Sequence, residues 1–209
     1  MMKRGLKYVF IVLMGALLIY HSIYFKSLRA VKASSEGLDM DSYAKNYLFK
    51  LIPQYEADFI DINFLRTAID ENASKAFANY AHAASDGDFR YFMVRGTGLI
   101  TQKDSDYVWS QDSQQQRYKL ATNYIYGTAA RDAAGLIVVD SFDNTMVFNE
   151  LSEKINELIR KEVVPASAKL ATGDSVQFTG ALGLSMKAPK LSEATIIPLH
   201  LERLQHKKE

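Results

Sequence analysis

From Tyr8 to Phe25 the chain is apolar on every helical face and carries no charge (YVFIVLMGALLIYHSIYF). Lys3, Arg4 and Lys7 precede the run, and Lys26, Arg29 and Lys32 follow it. As a helix it spans about 27 Å, close to the hydrocarbon thickness of a bilayer. Tyr20 and Tyr24 suit an interfacial aromatic belt. The pattern predicts an uncleaved transmembrane helix at 8–25. The competing reading is a signal peptide cut after Val31-Lys32-Ala33, against which three cations stand between the apolar run and the cut. Cations balance on the two flanks, so orientation rests on the N-terminal position of the segment. A signal anchor there makes a single-pass inner-membrane protein with its domain on the periplasmic, extracytoplasmic side.

Residues 1–33 thus read as the anchor and 34–40 (SSEGLDM) as a polar linker. Over 41–88 the period is helical. Tyr43, Tyr47, Leu48 and Leu51 form a first stripe, with Asp39 or Asp41 as cap and Pro53 as an interruption. Ile62, Leu65 and Ile69 form a second over 61–70, and Phe77, Tyr80 and Ala81 a third over 73–84.

Over 89–209 the period shortens to alternation. Strands are expected at 89–101, 107–111 and 117–126, with Gly96 and Gly98 marking a bulge or a close backbone approach. A short helical turn at 127–135, opened by Thr128 and stopped by Gly135, precedes a small hairpin of 136–139 with 146–148. A helix capped by Asn149 follows, with Leu151, Ile155, Leu158 and Ile159 on one face. The last two strands are 174–184 and 194–204, the latter an edge because of Pro198. Three strands, a helix and two strands is the order of an OB-fold barrel. The expected fold is α+β: a transmembrane helix, a helical segment, then an OB-like five-stranded barrel with a helix between strands 3 and 4.

Composition narrows the chemistry. The net charge of +1 gives no case for nucleic acid, and the part beyond the N-terminal cations is mildly acidic. Zero cysteines exclude disulfides, thiolate metal sites, a cysteine nucleophile and acylation of an N-terminal cysteine. Scattered histidines, carboxylate turns short of calcium-loop spacing, and Gly96-Thr97-Gly98 without a dinucleotide fingerprint leave no cofactor, no metal and no enzyme expected.

SIYFKSLRAVKAS at 22–34, DMDSYAKNY at 39–47, GTAARDAAGLI at 127–137, SFDNTMVFNELSEKIN at 141–156, SVQFTGAL at 175–182 and TIIPLHLERL at 195–204 resemble one bacterial family. It is a family of unknown function, described as predicted periplasmic lipoproteins. The resemblance implies a tethered extracytoplasmic OB-like domain and a link to carbohydrate ABC-transporter operons. Two departures stand out: the chain lacks the lipidation cysteine, and Thr145 replaces the Gln that follows the Asn of the family's F-x-N.

Six residues are candidates for ligand binding: Tyr107, Trp109, Arg131, Asp132, Asn144 and Asn156. Tyr107 and Trp109 share parity on one strand and point to one face, where a sugar ring stacks. Arg131 offers a guanidinium fork, although neighbours on a helical turn diverge by about 100° and cannot both face one partner. The structural alternative puts Asp132 on backbone amides and Arg131 on another acid. Asn144 suits its own turn, whereas Asn156 is a poor mid-helix choice without a role. The expected function is a membrane-anchored binding or accessory module for carbohydrate ABC transport, its partner a saccharide or a transporter component. The alternative is a structural protein-interaction domain without a small ligand, using the helices at 41–84.

Overall fold

The computed structural model describes residues 39–83, 87–142 and 144–204. Helix α1 (Met40–Asn46) starts where Asp39 accepts the backbone N–H groups of Asp41 and Ser42, each at 3.1 Å, which makes Asp39 the cap of the two candidates. It runs on through a π-helical turn, Tyr47–Leu51, into the short α2 (Ile52–Gln54), where Pro53 falls in the first turn. Strand β1 (Ile60–Asp61) leads into α3 (Ile62–Tyr80), capped by Asp61. Helix α3 breaks at Asn72, whose backbone leaves helical geometry and whose Oδ1 accepts Lys75 N–H at 2.9 Å. The two stripes expected at 61–70 and 73–84 are the two sides of that break.

Strands β2 (Phe89–Lys103), β3 (Tyr107–Gln111) and β4 (Arg117–Ala121) form an antiparallel meander. Helices α4 (Ala129–Asp132), α5 (Thr145–Leu158) and, after a π-helical turn at Ile159–Val163, α6 (Val164–Ala168) come next. Strands β5 (Ser175–Ser185) and β6 (Thr195–Arg203) end the fold. Strand order is β1-β2-β3-β4-β6-β5, and β5 returns to pair with β2 along its length. Five strands therefore close into a barrel, with β4 and β6 parallel and β1 a short addition. One hydrophobic core joins Tyr47, Ile62 and Phe77 of the helical segment to Phe92, Leu120 and Phe178 of the barrel.

The barrel and its intervening helix follow the sequence pattern, but the fold expectation fails in its first element. No helix among the described residues is long and apolar enough to cross a membrane, so the transmembrane helix is not supported; residues 8–25 lie outside the described ones. The hairpin of 136–148 is also absent. Val139–Ser141 forms a 3-10 turn, and 146–148 belongs to α5, which starts one turn earlier than expected because Asn144 Oδ1 accepts Val147 N–H at 3.0 Å. Burial of Val147 and Phe148 against the core overrides their strand preference. Gly98 marks a close approach: a Cβ there would lie 2.2 Å from Ser110 Oγ and 2.7 Å from the Gln111 carbonyl. The register shift between β2 and β3 falls further on, between Ile100 and Gln102.

Candidate functional site

Helix α5 carries its apolar stripe, Leu151, Ile155 and Leu158, into the core as expected. Beside that stripe runs a polar one, Asn149, Ser152, Glu153, Asn156 and Arg160, at spacings of three, one, three and four. These side chains face the loop Tyr126-Gly127-Thr128 across an open cleft of about 470 Å³, within the range of small-ligand sites.

The loop is tied to the helix. Asn156 Nδ2 donates to the Gly127 carbonyl at 2.8 Å, and Arg160 donates to the Ile125 carbonyl. Thr128 Oγ1 donates to the Tyr91 hydroxyl at 3.1 Å. From below, the Tyr47 hydroxyl lies 3.0 and 3.1 Å from the Ala130 and Arg131 carbonyls and fixes the end of α4. Burial, reinforced by the Asp132 charge, raises the Tyr47 pKa well above the ordinary phenol value, so this hydroxyl stays a donor.

Among the described residues, two side-chain atoms on the cleft wall are buried without a partner: Ser152 Oγ and Asn156 Oδ1. Their residues are 5% and 3% exposed. Because Asn156 Nδ2 must face the Gly127 carbonyl, Oδ1 can only be the free acceptor. Ser152 and Asn156 stand one helical turn apart, about 5–6 Å between Cβ atoms.

Arg131 and Asp132, 3% and 5% exposed, pair with each other. Nε donates to Oδ1 at 2.6 Å and Nη2 to Oδ2 at 3.1 Å, while Nη1 donates to the Phe148 carbonyl at 2.7 Å. The long Arg side chain folds back over the turn, which overcomes the 100° divergence of neighbouring positions. Neither backbone amides for Asp132 nor a remote acid for Arg131 is needed. Both line a second cleft of about 380 Å³ that shares Thr128 and Asn149 with the first.

Asn144 caps α5, and its Nδ2 is buried without a partner. Tyr107 and Trp109 point outward from β3, as their parity predicts, with ring centroids 6.3 Å apart. Arg117 sits 4.7 Å and Lys119 5.7 Å from the Trp109 ring centre, and Trp109 Nε1 donates to Asp104 Oδ2 at 3.4 Å. The structure thus places Arg131 and Asp132 beside the start of α5, which Asn144 caps, puts Asn156 near its end in the adjoining cleft, and leaves the aromatic pair on the barrel's outer face. Sequence reasoning missed Ser152, Glu153, Arg160 and Tyr126. The available signal was Ser152 and Asn156, two polar residues i, i+4 within a buried stripe.

Among the described residues no group of three or more His, Cys, Asp or Glu is placed to hold a metal ion. The described histidines lie elsewhere: His82 lines a cavity with Tyr55 and Met93, and His200 lines an apolar groove.

A closed barrel in this strand order, with a helical insertion before its last two strands, is an OB-fold. The chain is similar to an OB-fold protein from Thermotoga maritima, with a TM-score of 0.71 and 22% identity over 80% of this chain and 99% of that one. The chain belongs to the family DUF2291, described as predicted periplasmic lipoprotein, whose match covers residues 13–202. That description gives a periplasmic location, although the chain has no cysteine to acylate. No curated protein matches it.

Proposed function

We propose that the protein is a periplasmic, non-enzymatic binding module whose cleft between α5 and the 126–128 loop takes a saccharide. One observation carries this reading: Ser152 Oγ and Asn156 Oδ1 are buried, unpartnered and set in the same cleft wall. A buried polar atom left unpaired costs about 1–3 kcal/mol, and a hydroxylated ligand relieves that cost. A single sugar ring bridges the one-turn separation of the two groups, with Asn149, Glu153 and Arg160 within reach of further hydroxyls and the exposed Tyr126 at the mouth. Among the described residues lining this wall Glu153 is the one carboxylate and none is a histidine, which supports binding over catalysis. The link to carbohydrate ABC transport rests on the family resemblance.

A thermal-shift titration of the full chain with D-glucose, D-galactose, D-xylose and maltose tests the reading. A ligand at 100 times its Kd stabilises by about 2.7 kcal/mol, roughly 5–11 °C for a chain of this size. A saturable shift supports it, and a flat response to all four sugars refutes it.

The second reading, a protein-interaction domain, is favoured by an apolar groove of about 300 Å³ lined by Leu48, Phe49, Ile52, Val163 and Leu199. Phe49 is 46% exposed there.

A further inference from the structure

Thr67 and Ser152 are hydroxyl residues inside helices, yet they behave differently. Thr67 Oγ1 donates to the Asn63 carbonyl, four residues back, at 3.1 Å, the bond that helical Ser and Thr side chains ordinarily make. The corresponding acceptor for Ser152 is the Phe148 carbonyl, and Ser152 Oγ makes no bond. The Phe148 carbonyl is already occupied. Along the helix it accepts the Ser152 N–H, and from outside it accepts Arg131 Nη1 at 2.7 Å. A carbonyl oxygen has two lone pairs, so the Ser152 hydroxyl is shut out of this carbonyl.

Arg131 cannot drift from this position. Asp132 clamps Nε and Nη2, and the guanidinium carbon lies 3.4 Å from the centre of the Phe148 ring. A planar fork serving Asp132, the Phe148 carbonyl and, at 3.5 Å, Asn149 Oδ1 in fixed directions is a property of arginine.

We infer that Arg131, held by Asp132, is a positioning residue for the cleft: it saturates the Phe148 carbonyl and so leaves the Ser152 hydroxyl free for a ligand. The inference rests on reading this cleft as the ligand site. It also narrows the ligand. Asn156 Oδ1 only accepts, and the freed Ser152 hydroxyl both donates and accepts. The pair therefore selects a group that donates as well, the hydroxyl of a neutral polyol, and disfavours a carboxylate, which only accepts.

The test is the variant Arg131→Met with Asp132→Leu, which removes both charges together and leaves no lone buried ion. Arg131→Met with Asp132→Asn serves if the first does not fold. The readouts are a crystal structure and calorimetric titration with D-glucose and maltose, each with and without Ser152→Ala. In the variant, Ser152 Oγ should rotate to within about 3.2 Å of the Phe148 carbonyl. Sugar affinity should fall roughly 2–12-fold, the range of one neutral hydrogen bond. Adding Ser152→Ala should then cost nothing more. A Ser152 hydroxyl that stays unbonded without Arg131, or losses that add across the two sites, overturns the inference. Rotation of Ser152 without sugar binding by the unmodified protein upholds the positioning role and refutes the saccharide reading.

Discussion

Asn156 donates its amide Nδ2 to the Gly127 carbonyl at 2.8 Å, across 29 positions of sequence. One residue thereby does two things: it fastens the 126–128 loop to α5, and it leaves its own buried oxygen without a partner in the cleft wall. Asn156→Asp replaces the donor with a second acceptor, and a carboxylate would face a carbonyl in a buried setting. The expected cost is about 1–3 kcal/mol of folding stability, read as a lower urea midpoint at unchanged slope. An unaltered midpoint would show that the loop is not held by this bond.

The barrel is joined to the helical segment by a different network. Asp112 Oδ1 accepts the Gln114 and Gln116 N–H groups, each at 2.8 Å, while Oδ2 lies 3.0 Å from the Tyr118 hydroxyl and 3.4 Å from Arg66 Nη1. Asp112 therefore shapes the β3–β4 turn and joins it to α3. Asp112→Ala should cost about 1–3 kcal/mol, since the Gln114 and Gln116 N–H groups lose their acceptor while Arg66 keeps the Tyr118 hydroxyl and Gln114 Oε1. None of these residues lines the α5 cleft, so sugar affinity measured on the folded fraction should stay within twofold of the parent. A selective loss of binding at unchanged stability would place the ligand near the β3–β4 turn instead.

His82 links stability to pH. Its ring lies so close to Gly135 that a Cβ there would stand 2.4 Å from Nδ1, and partial burial holds its pKa below the ordinary value of 6.5. A lowered pKa means that the unfolded chain binds the proton more readily. The neutral ring's contribution is thus complete above about pH 6.5 and is lost as pH falls through the lowered pKa. His82→Gln should flatten the dependence of the urea midpoint between pH 7.5 and 5. Identical slopes for the two proteins would exclude His82 as a source.

Alternation over 89–101 and 107–111, with the stripe Leu151, Ile155, Leu158, makes the barrel and its helix legible in the sequence. The 136–148 stretch is not, because Met146-Val147-Phe148 has the composition of a strand. It is helical because Asn144 caps it and the core takes Val147 and Phe148. At the site, Asn156 stood out as an amide inside a helix. Arg131 was legible as a fork, but its partner, the adjacent Asp132, was not, since side-chain reach and not backbone angle decides that contact. The partnerless state of Ser152 depends on a carbonyl occupied by a residue 17 positions away, and no local pattern carries that.

The central claim is that the α5 cleft binds the ligand. Calorimetric titration of the full chain with D-glucose and maltose, comparing the parent with Ser152→Ala and Trp109→Ala, tests it most directly. The hydroxyl of Ser152 bonds nothing among the described residues, so Ser152→Ala should leave the melting temperature unchanged or slightly higher and weaken sugar binding roughly 2–12-fold. Trp109→Ala, on the barrel's outer face, should change the affinity less than twofold. Full affinity in Ser152→Ala together with a loss in Trp109→Ala would contradict the account and move the site to the Tyr107–Trp109 face.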